Sequence, residues 1–434
     1  MLTRYEIQRI LKLIRKEVFP AVGCNEPLMV ALACAKAREI LGQMPEQITA
    51  RMSGHIIKYA MGVGIPKSEG MLGIASAMAL GTVAGDSELG LEVIRDLTHE
   101  QCEEARQMLQ EKRCHVMHAR HTFEQVYVEV EATAGEHKSR VIIAQRYTNY
   151  VLLRKDDLTM LDARDTLAKE HDRNHDTDLN MEKIYDFATH CPLDELQFLM
   201  KGARMNQAVA QAAFEPEANY GLNLGKMLRG NFEARMLGQN AMPRVVCYTC
   251  AAIDVRMSGL PVPVMTNSGS GNQGIAVTMP VVIFAEETQC TEAKLLRALA
   301  LSHLTNIYIR QLLGKMSAHC RCVLAATGAA CGIAYLMGGD LEQVCAAVKN
   351  QIAGTTGMIC DGCKPSCVLK MSSAVSSAFQ SAMMAIEGIS VASTDGIIED
   401  DVDKSLENMA SIGRDAMLEM DNVVLNIMAD KTIG

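Results

Sequence analysis

Tryptophan is absent from this chain, and phenylalanine and tyrosine together bring the aromatic content to only 4%. Sandwiches and barrels lean on aromatic and β-branched side chains, so this scarcity points away from them. Basic charge is also in deficit: 42 Lys and Arg against 51 Asp and Glu give a net charge of −9. No Lys/Arg face with interleaved aromatics is present, which excludes a nucleic-acid or membrane-surface partner, since either requires a basic stripe. No stretch approaches the roughly 18 consecutive apolar residues of a membrane span. The nearest, Cys322–Met337, is Gly/Ala-rich and reads as a helix buried inside the protein. The N-terminal MLTRYEIQRILKLIRKEVFP is interrupted by charges every few positions and lacks the apolar centre of a signal peptide. A soluble, cytoplasmic protein is therefore expected.

What replaces the aromatics is methionine (29 residues) and alanine, within an overall hydrophobic content of 49%. Small and flexible apolar side chains favour close-packed helices. The 434 residues suffice for one large domain or two to three ordinary ones.

Residues 1–45 read as helices around the loop FPAVGCNEPL. The Gly-rich stretch from Arg51 to Gly85 reads as a loop followed by a tightly packed helix. A charged helix over Leu97–Lys112 starts at Thr98 as its N-cap, with Glu103 and Glu104 downstream. Three β-like runs follow, at Cys114–Ala119, Glu124–Ala132 and Ser139–Arg154, the last two joined as a hairpin through AGEHK. Helical periodicity returns near Asp178 and continues to the end, broken by the loop SGLPVPVMTNSGSGNQG. The expected fold class is α+β: a predominantly helical core over 1–87 and 159–434, with a small α+β module inserted at 88–158 and carrying a three-stranded antiparallel sheet. No fixed-period repeat is found.

Fifteen cysteines without an export signal are expected to be reduced thiols. Cys34, Cys331 and Cys345 lie in Ala-rich helical runs and read as core residues. Cys24 in VGCNEP, Cys320 in KMSAHCRC and Cys360 in GMICDGCKPSC lie among Gly, Pro and polar residues. There the backbone can approach an inorganic group closely, and thiolates select iron–sulfur clusters or zinc. Two local groupings compete: Cys247 and Cys250 form a CxxC without a second pair at zinc-ribbon distance. Cys360, Cys363 and Cys367 form a C-x2-C-x3-C that would serve as an alternative ligand set. The uncharged loop Thr266–Val277 offers Ser268, Ser270, Asn272 and Gln273 beside three glycines, which suits a carboxylate held by neutral donors and backbone N–H groups as readily as a polar turn.

In order along the chain, GCNEP, SGSGNQGI, SAHCRCVLAATGAACGIAYLMGGD and GMICDGCKPSCVLK resemble the L-cysteine desulfidase family, itself related to the iron–sulfur L-serine dehydratase alpha chain. The resemblance covers essentially the whole chain. It implies a [4Fe–4S] cluster on Cys24, Cys320 and Cys360, with one iron open. The implied reaction is α,β-elimination from a small amino acid, L-cysteine giving pyruvate, ammonia and sulfide, without pyridoxal phosphate. The resemblance demotes Cys363, Cys322 and Cys367 as ligands. The segment SGHIIKYAMGVGIP matches the family except at Tyr59, where Asn is more usual. The Ser268–Gln273 loop is expected at the substrate, and Lys58 and His319 are the expected catalytic residues, with His55 as a third candidate base. L-serine dehydration by the same chemistry and a non-catalytic iron–sulfur sensor are the alternatives, and small-residue helical surfaces are compatible with a homodimer.

Overall fold

In the computed structural model, residues 1–432 are described except 121, 123, 167–177, 234–239 and 315–317. The fold is α+β and dominated by helices, with two sheets. Among the described residues no helix is long and apolar enough to cross a membrane.

Most of the helices share one core. At its centre lies Arg321–Leu336, the helix read from the Gly/Ala-rich run, which packs against Gly271–Glu287, Glu292–Leu313, Leu341–Thr355 and Cys367–Ile386. Small residues make this packing close: a Cβ on Gly328 would run into the Ser302 carbonyl oxygen. The N-terminal helix Arg4–Glu17, opened by a Thr3–Glu6 capping box, joins the same core.

Sheet strands, in chain order, are β1 (Pro20–Val22), β2 (Gln47–Met52), β3 (Cys114–His118), β4 (Tyr127–Ala134), β5 (His137–Ala144), β6 (Tyr150–Lys155), β7 (Leu158–Asp162) and β8 (Pro263–Met265). Six of them form one mixed sheet in the order β3-β2-β4-β5-β6-β7. This corrects the expected three-stranded antiparallel sheet of residues 88–158. β2 comes from well before that module and lies between β3, to which it is parallel, and β4. Its inward positions Ile48, Ala50 and Met52 are fully buried, and this alternation specifies the strand. The run Ser139–Arg154 splits at Gln145, whose φ of +67° turns the chain between β5 and β6. Helices Asn25–Leu41 and Gly73–Ala84 pack with this sheet in a second core, so that core starts well before residue 88. The Leu97–Lys112 expectation is realised as His99–Gln110, N-capped by Thr98 with Gln101 completing the capping box.

The two remaining strands bear on function. β1 and β8 pair antiparallel, Pro20 opposite Met265 and Val22 opposite Pro263. They zip the VGCNEP loop to the TNSGSGNQG loop across more than 200 residues of sequence.

Candidate functional site

Cys24 is the N-cap of helix Asn25–Leu41, and Cys320 is the N-cap of helix Arg321–Leu336. Both are buried, and each faces the unsatisfied amides and positive dipole end of its helix, a setting that favours a thiolate. A hydrogen bond from Cys363 brings the Cys24 thiol down to about 7 against the cost of burial, with the Arg256 charge adding to it. Cys320 is brought down to about 7 by the Cys322 thiol, again against burial, and by the backbone N–H groups of Cys322 and Val323. Cys360 lies beside Cys320 because residues 318–320 and 358–360 form a short antiparallel bridge. Cys320 N–H donates to Met358 O at 2.9 Å and Cys360 N–H to Ala318 O at 2.7 Å. Cys367 feels the charges of Cys360 and Cys320, and Cys363 those of Cys24 and Cys367. Six thiols thus share one neighbourhood, three of them the expected ligands.

This donor set fits an iron–sulfur cluster. Thiolates are the soft ligands such a cluster takes. Gly23 (φ +72°) and Gly362 (φ +99°) turn the backbone beside Cys24 and Cys360, where a Cβ on Gly362 would strike the Lys58 carbonyl oxygen. Among the described residues the one trio of candidate ligand atoms within 4.8 Å of one another is Glu69, His99 and Glu103. The thiols are therefore spread more widely than the sulfurs of a single zinc ion, which bonds of about 2.3 Å would hold within about 4 Å. The Glu69 trio is exposed, and Arg106 already pairs with both of its carboxylates.

Around the thiols stand three arginines that the sequence reading did not single out, together with Tyr59, which it marked only as a departure from the family segment. Arg256 donates to Asn272 Oδ1 at 3.0 Å and to the Gly23 carbonyl at 3.2 Å, linking the Ser268–Gln273 loop to the Cys24 loop. Tyr59 is buried with its hydroxyl 3.6 Å from Cys360 Sγ, and the Arg321 guanidinium lies 4.8 Å from the centre of its ring. Arg310 acts on both Arg321 and Tyr59, and burial, then the Arg321 charge, push it down to about 10.

The loop residues divide clearly. The Ser270 side chain caps its helix by accepting from Gln273 N–H at 3.4 Å, and Ser268 Oγ donates to Asn267 Oδ1 at 2.9 Å. Asn272 is committed to Arg256. Gln273 is fully buried, and neither its amide oxygen nor its amide nitrogen has a hydrogen-bond partner among the described residues. Ser268 (φ +49°) and Gly269 (φ +74°) form the tight turn closed by Asn267 and Ser270.

A cavity of about 310 Å³ opens beside Tyr59 and Arg321, lined by His55, Lys58 and Gln125 and covered by Leu418, Asp421 and Leu425 of the C-terminal helix Met417–Thr432. Lys58 is 2% exposed and its ammonium is ion-paired with Asp421. His55 packs against the Tyr59 ring, centroids 4.6 Å apart; burial, then the charges of Arg321, Lys58 and Arg310, push it down to about 3. His319 is buried in the bridge beside Cys320 and does not line this cavity. The CxxC thiols stand apart: Cys247 Sγ donates to Gly225 O at 3.3 Å, and burial pushes that thiol up to about 12, the behaviour of a core residue.

The serine dehydratase alpha chain family matches residues 88–426. A UPF0597 protein of Bacteroides thetaiotaomicron is 50% identical over 98% of this chain and 98% of its own length. UPF0597 proteins of Porphyromonas gingivalis and Aeromonas hydrophila are 44% and 38% identical, each over 98% of this chain and over 98% and 96% of their own lengths. The chain belongs to the serine dehydratase alpha chain family.

Proposed function

We propose that the protein is an iron–sulfur-dependent lyase that removes the β-substituent of a small amino acid, with L-cysteine as the substrate and pyruvate, ammonia and sulfide as products. The observation that carries this reading is the meeting of Cys24 and Cys320, two acidified thiols at helix N-termini, with Cys360 beside a small cavity. Cys24, Cys320 and Cys360 would hold a [4Fe–4S] cluster, which would supply Lewis-acid chemistry at the leaving group. Family membership supports the lyase class and the iron–sulfur dependence.

In this reading the cavity-lining side chains handle the proton. His55 lines the cavity and takes the proton from the substrate's α-carbon, its basicity, lowered by burial and by the charges of Arg321, Lys58 and Arg310, being restored in part by an anionic substrate beside it. Lys58, whose ammonium is already paired, links the site to Asp421, which is 25% exposed and offers a route to solvent. His319 positions the Cys320 loop. Of the loop residues proposed at the substrate, Gln273 retains free donor and acceptor capacity, while Ser268, Ser270 and Asn272 shape the turn that presents it.

The family name favours one second reading, elimination of hydroxide from L-serine at the same site. Release of sulfide and pyruvate from the anaerobically reconstituted protein decides between them. Sulfide and pyruvate from L-cysteine are expected, and pyruvate from L-serine with none from L-cysteine would replace the first reading by the second.

A further inference from the structure

Arg321 lines the thiol end of the cavity, Arg310 is near enough to interact with it, and among the described residues neither has an acidic partner in an ion pair. Arg321 lines the cavity and covers the face of Tyr59, whose hydroxyl reaches Cys360. Arg310 comes from the C-terminal end of helix Glu292–Leu313, close enough to act on Arg321, Tyr59 and His55. Both are half-buried. Among the described residues neither is ion-paired, and Arg310 Nε has no hydrogen-bond partner. Glu17 and Glu26 act on them only through longer-range charge. Two guanidinium groups that repel one another in a partly desolvated site are unfavourable unless something anionic joins them.

The neighbouring polar atoms strengthen this. Asn306 and Arg310 are four residues apart and share one helix face. Asn306 donates to Asn267 Oδ1 at 2.7 Å, which ties this face to the TNSGSGNQG loop, while its own Oδ1 has no partner. Gln273, with both amide atoms unpartnered, lies in the first turn of helix Gly271–Glu287, which packs along Glu292–Leu313. Full burial of Gln273 and Asn306 makes their missing partners costly. Two cationic forks and a neutral amide with unmet hydrogen-bonding capacity, carried by helices that pack on one another, are the donor types that suit a planar anion.

We propose that Arg310 and Arg321, with Gln273, form the subsite for the α-carboxylate of the substrate, and so select small amino acids with a free carboxylate. This rests on the lyase reading for its substrate. A carboxylate held here leaves the β-substituent of a three-carbon amino acid on the side of Tyr59 and Cys360. A rival role for the arginines is to balance the charge of the thiolates alone.

Titration calorimetry of the cluster-free protein with pyruvate as probe, and with pyruvamide as its uncharged control, separates these roles. The wild type is expected to bind pyruvate and to discriminate against pyruvamide. Arg310→Gln and Arg321→Gln are each expected to weaken pyruvate binding at least tenfold, and Arg310→Lys, which keeps the charge and is the milder change to the fold, by less. In the loaded enzyme the glutamine variants should raise KM for L-cysteine at least tenfold with kcat changed far less. Unchanged pyruvate binding in folded variants, or a loss of iron with KM unaltered, would overturn the proposal in favour of charge balancing. Arginine-dependent pyruvate binding by a protein that degrades neither L-cysteine nor L-serine would keep the carboxylate subsite and remove the lyase reading.

Discussion

The hydroxyl of Tyr59 lies 3.6 Å from the sulfur of Cys360, inside a site where both side chains are buried. A hydroxyl hydrogen bond to a ligating sulfur withdraws electron density and raises a cluster's reduction potential. Tyr59→Phe is therefore expected to fold normally, to load iron, and to show a more negative reduction potential in a redox titration. An unchanged potential would mean that the hydroxyl does not engage the loaded site.

Ligand identity is tested by serine substitutions. Cys24→Ser, Cys320→Ser and Cys360→Ser should each lose most of the iron retained after anaerobic reconstitution. Cys322→Ser and Cys363→Ser should keep at least about half, because these thiols serve the ligands as hydrogen-bond donors in the protein. Iron and sulfide analysis of the five variants is the measurement. Full retention by Cys360→Ser with loss in Cys363→Ser would move the ligand set to the C-terminal loop.

The pair of Lys58 and Asp421 joins helix Gly54–Ala60 to the C-terminal helix. Removing one partner of a largely buried pair leaves the other uncompensated. Asp421→Leu should cost about 3 kcal/mol in urea unfolding, an effect at the lower end of that known for buried pairs because Asp421 is partly exposed. The double variant Lys58→Met/Asp421→Leu should recover at least half of that loss. Additive losses would show that the two groups are energetically independent.

Stability should also vary with pH through Asp254, which is 1% exposed. Burial raises its carboxyl to about 6, against the backbone N–H bonds it accepts from Gly225 and Leu222. The unfolded chain has an ordinary carboxyl near 4 and releases the proton first. This group's contribution to stability is complete below about pH 4 and is lost as pH rises through about 6. Asp254→Asn should flatten that decline, by up to about 3 kcal/mol relative to the wild type between pH 4 and 8. Urea unfolding of the metal-free protein at pH 4, 6 and 8 checks it, and curves that stay parallel would rule Asp254 out as the source.

Much of this architecture was legible from local pattern. Arg321–Leu336 announces itself as a buried helix by its run of Gly, Ala and Cys, and Thr98 marks a helix start. β2 was hidden because its six residues alternate Ile, Ala and Met with polar side chains next to a Gly-rich stretch, and their partners in β3 and β4 are more than 60 residues away. The site divides in the same way. Cys24, Cys320 and Cys360 were picked out by the order of four motifs. Arg256, Arg310 and Arg321 carried no such mark, since an arginine in a helical segment ordinarily reads as a solvated end. Tyr59 did carry a signal, as the one departure from the family in its segment, and its hydroxyl proves to lie against Cys360.

Cys24 packs in the helical core, whereas the helix it opens belongs to the core of the six-stranded sheet. A cluster held on Cys24, Cys320 and Cys360 would therefore act as a staple across the seam between the two cores. It would close chain loops of 296 (320 − 24) and 40 (360 − 320) residues, and a cross-link of such reach removes on the order of 5 kcal/mol of entropy from the unfolded chain. Loss of the staple would loosen the seam as well as stop turnover, so iron supply would govern how long each molecule survives in addition to how fast it works.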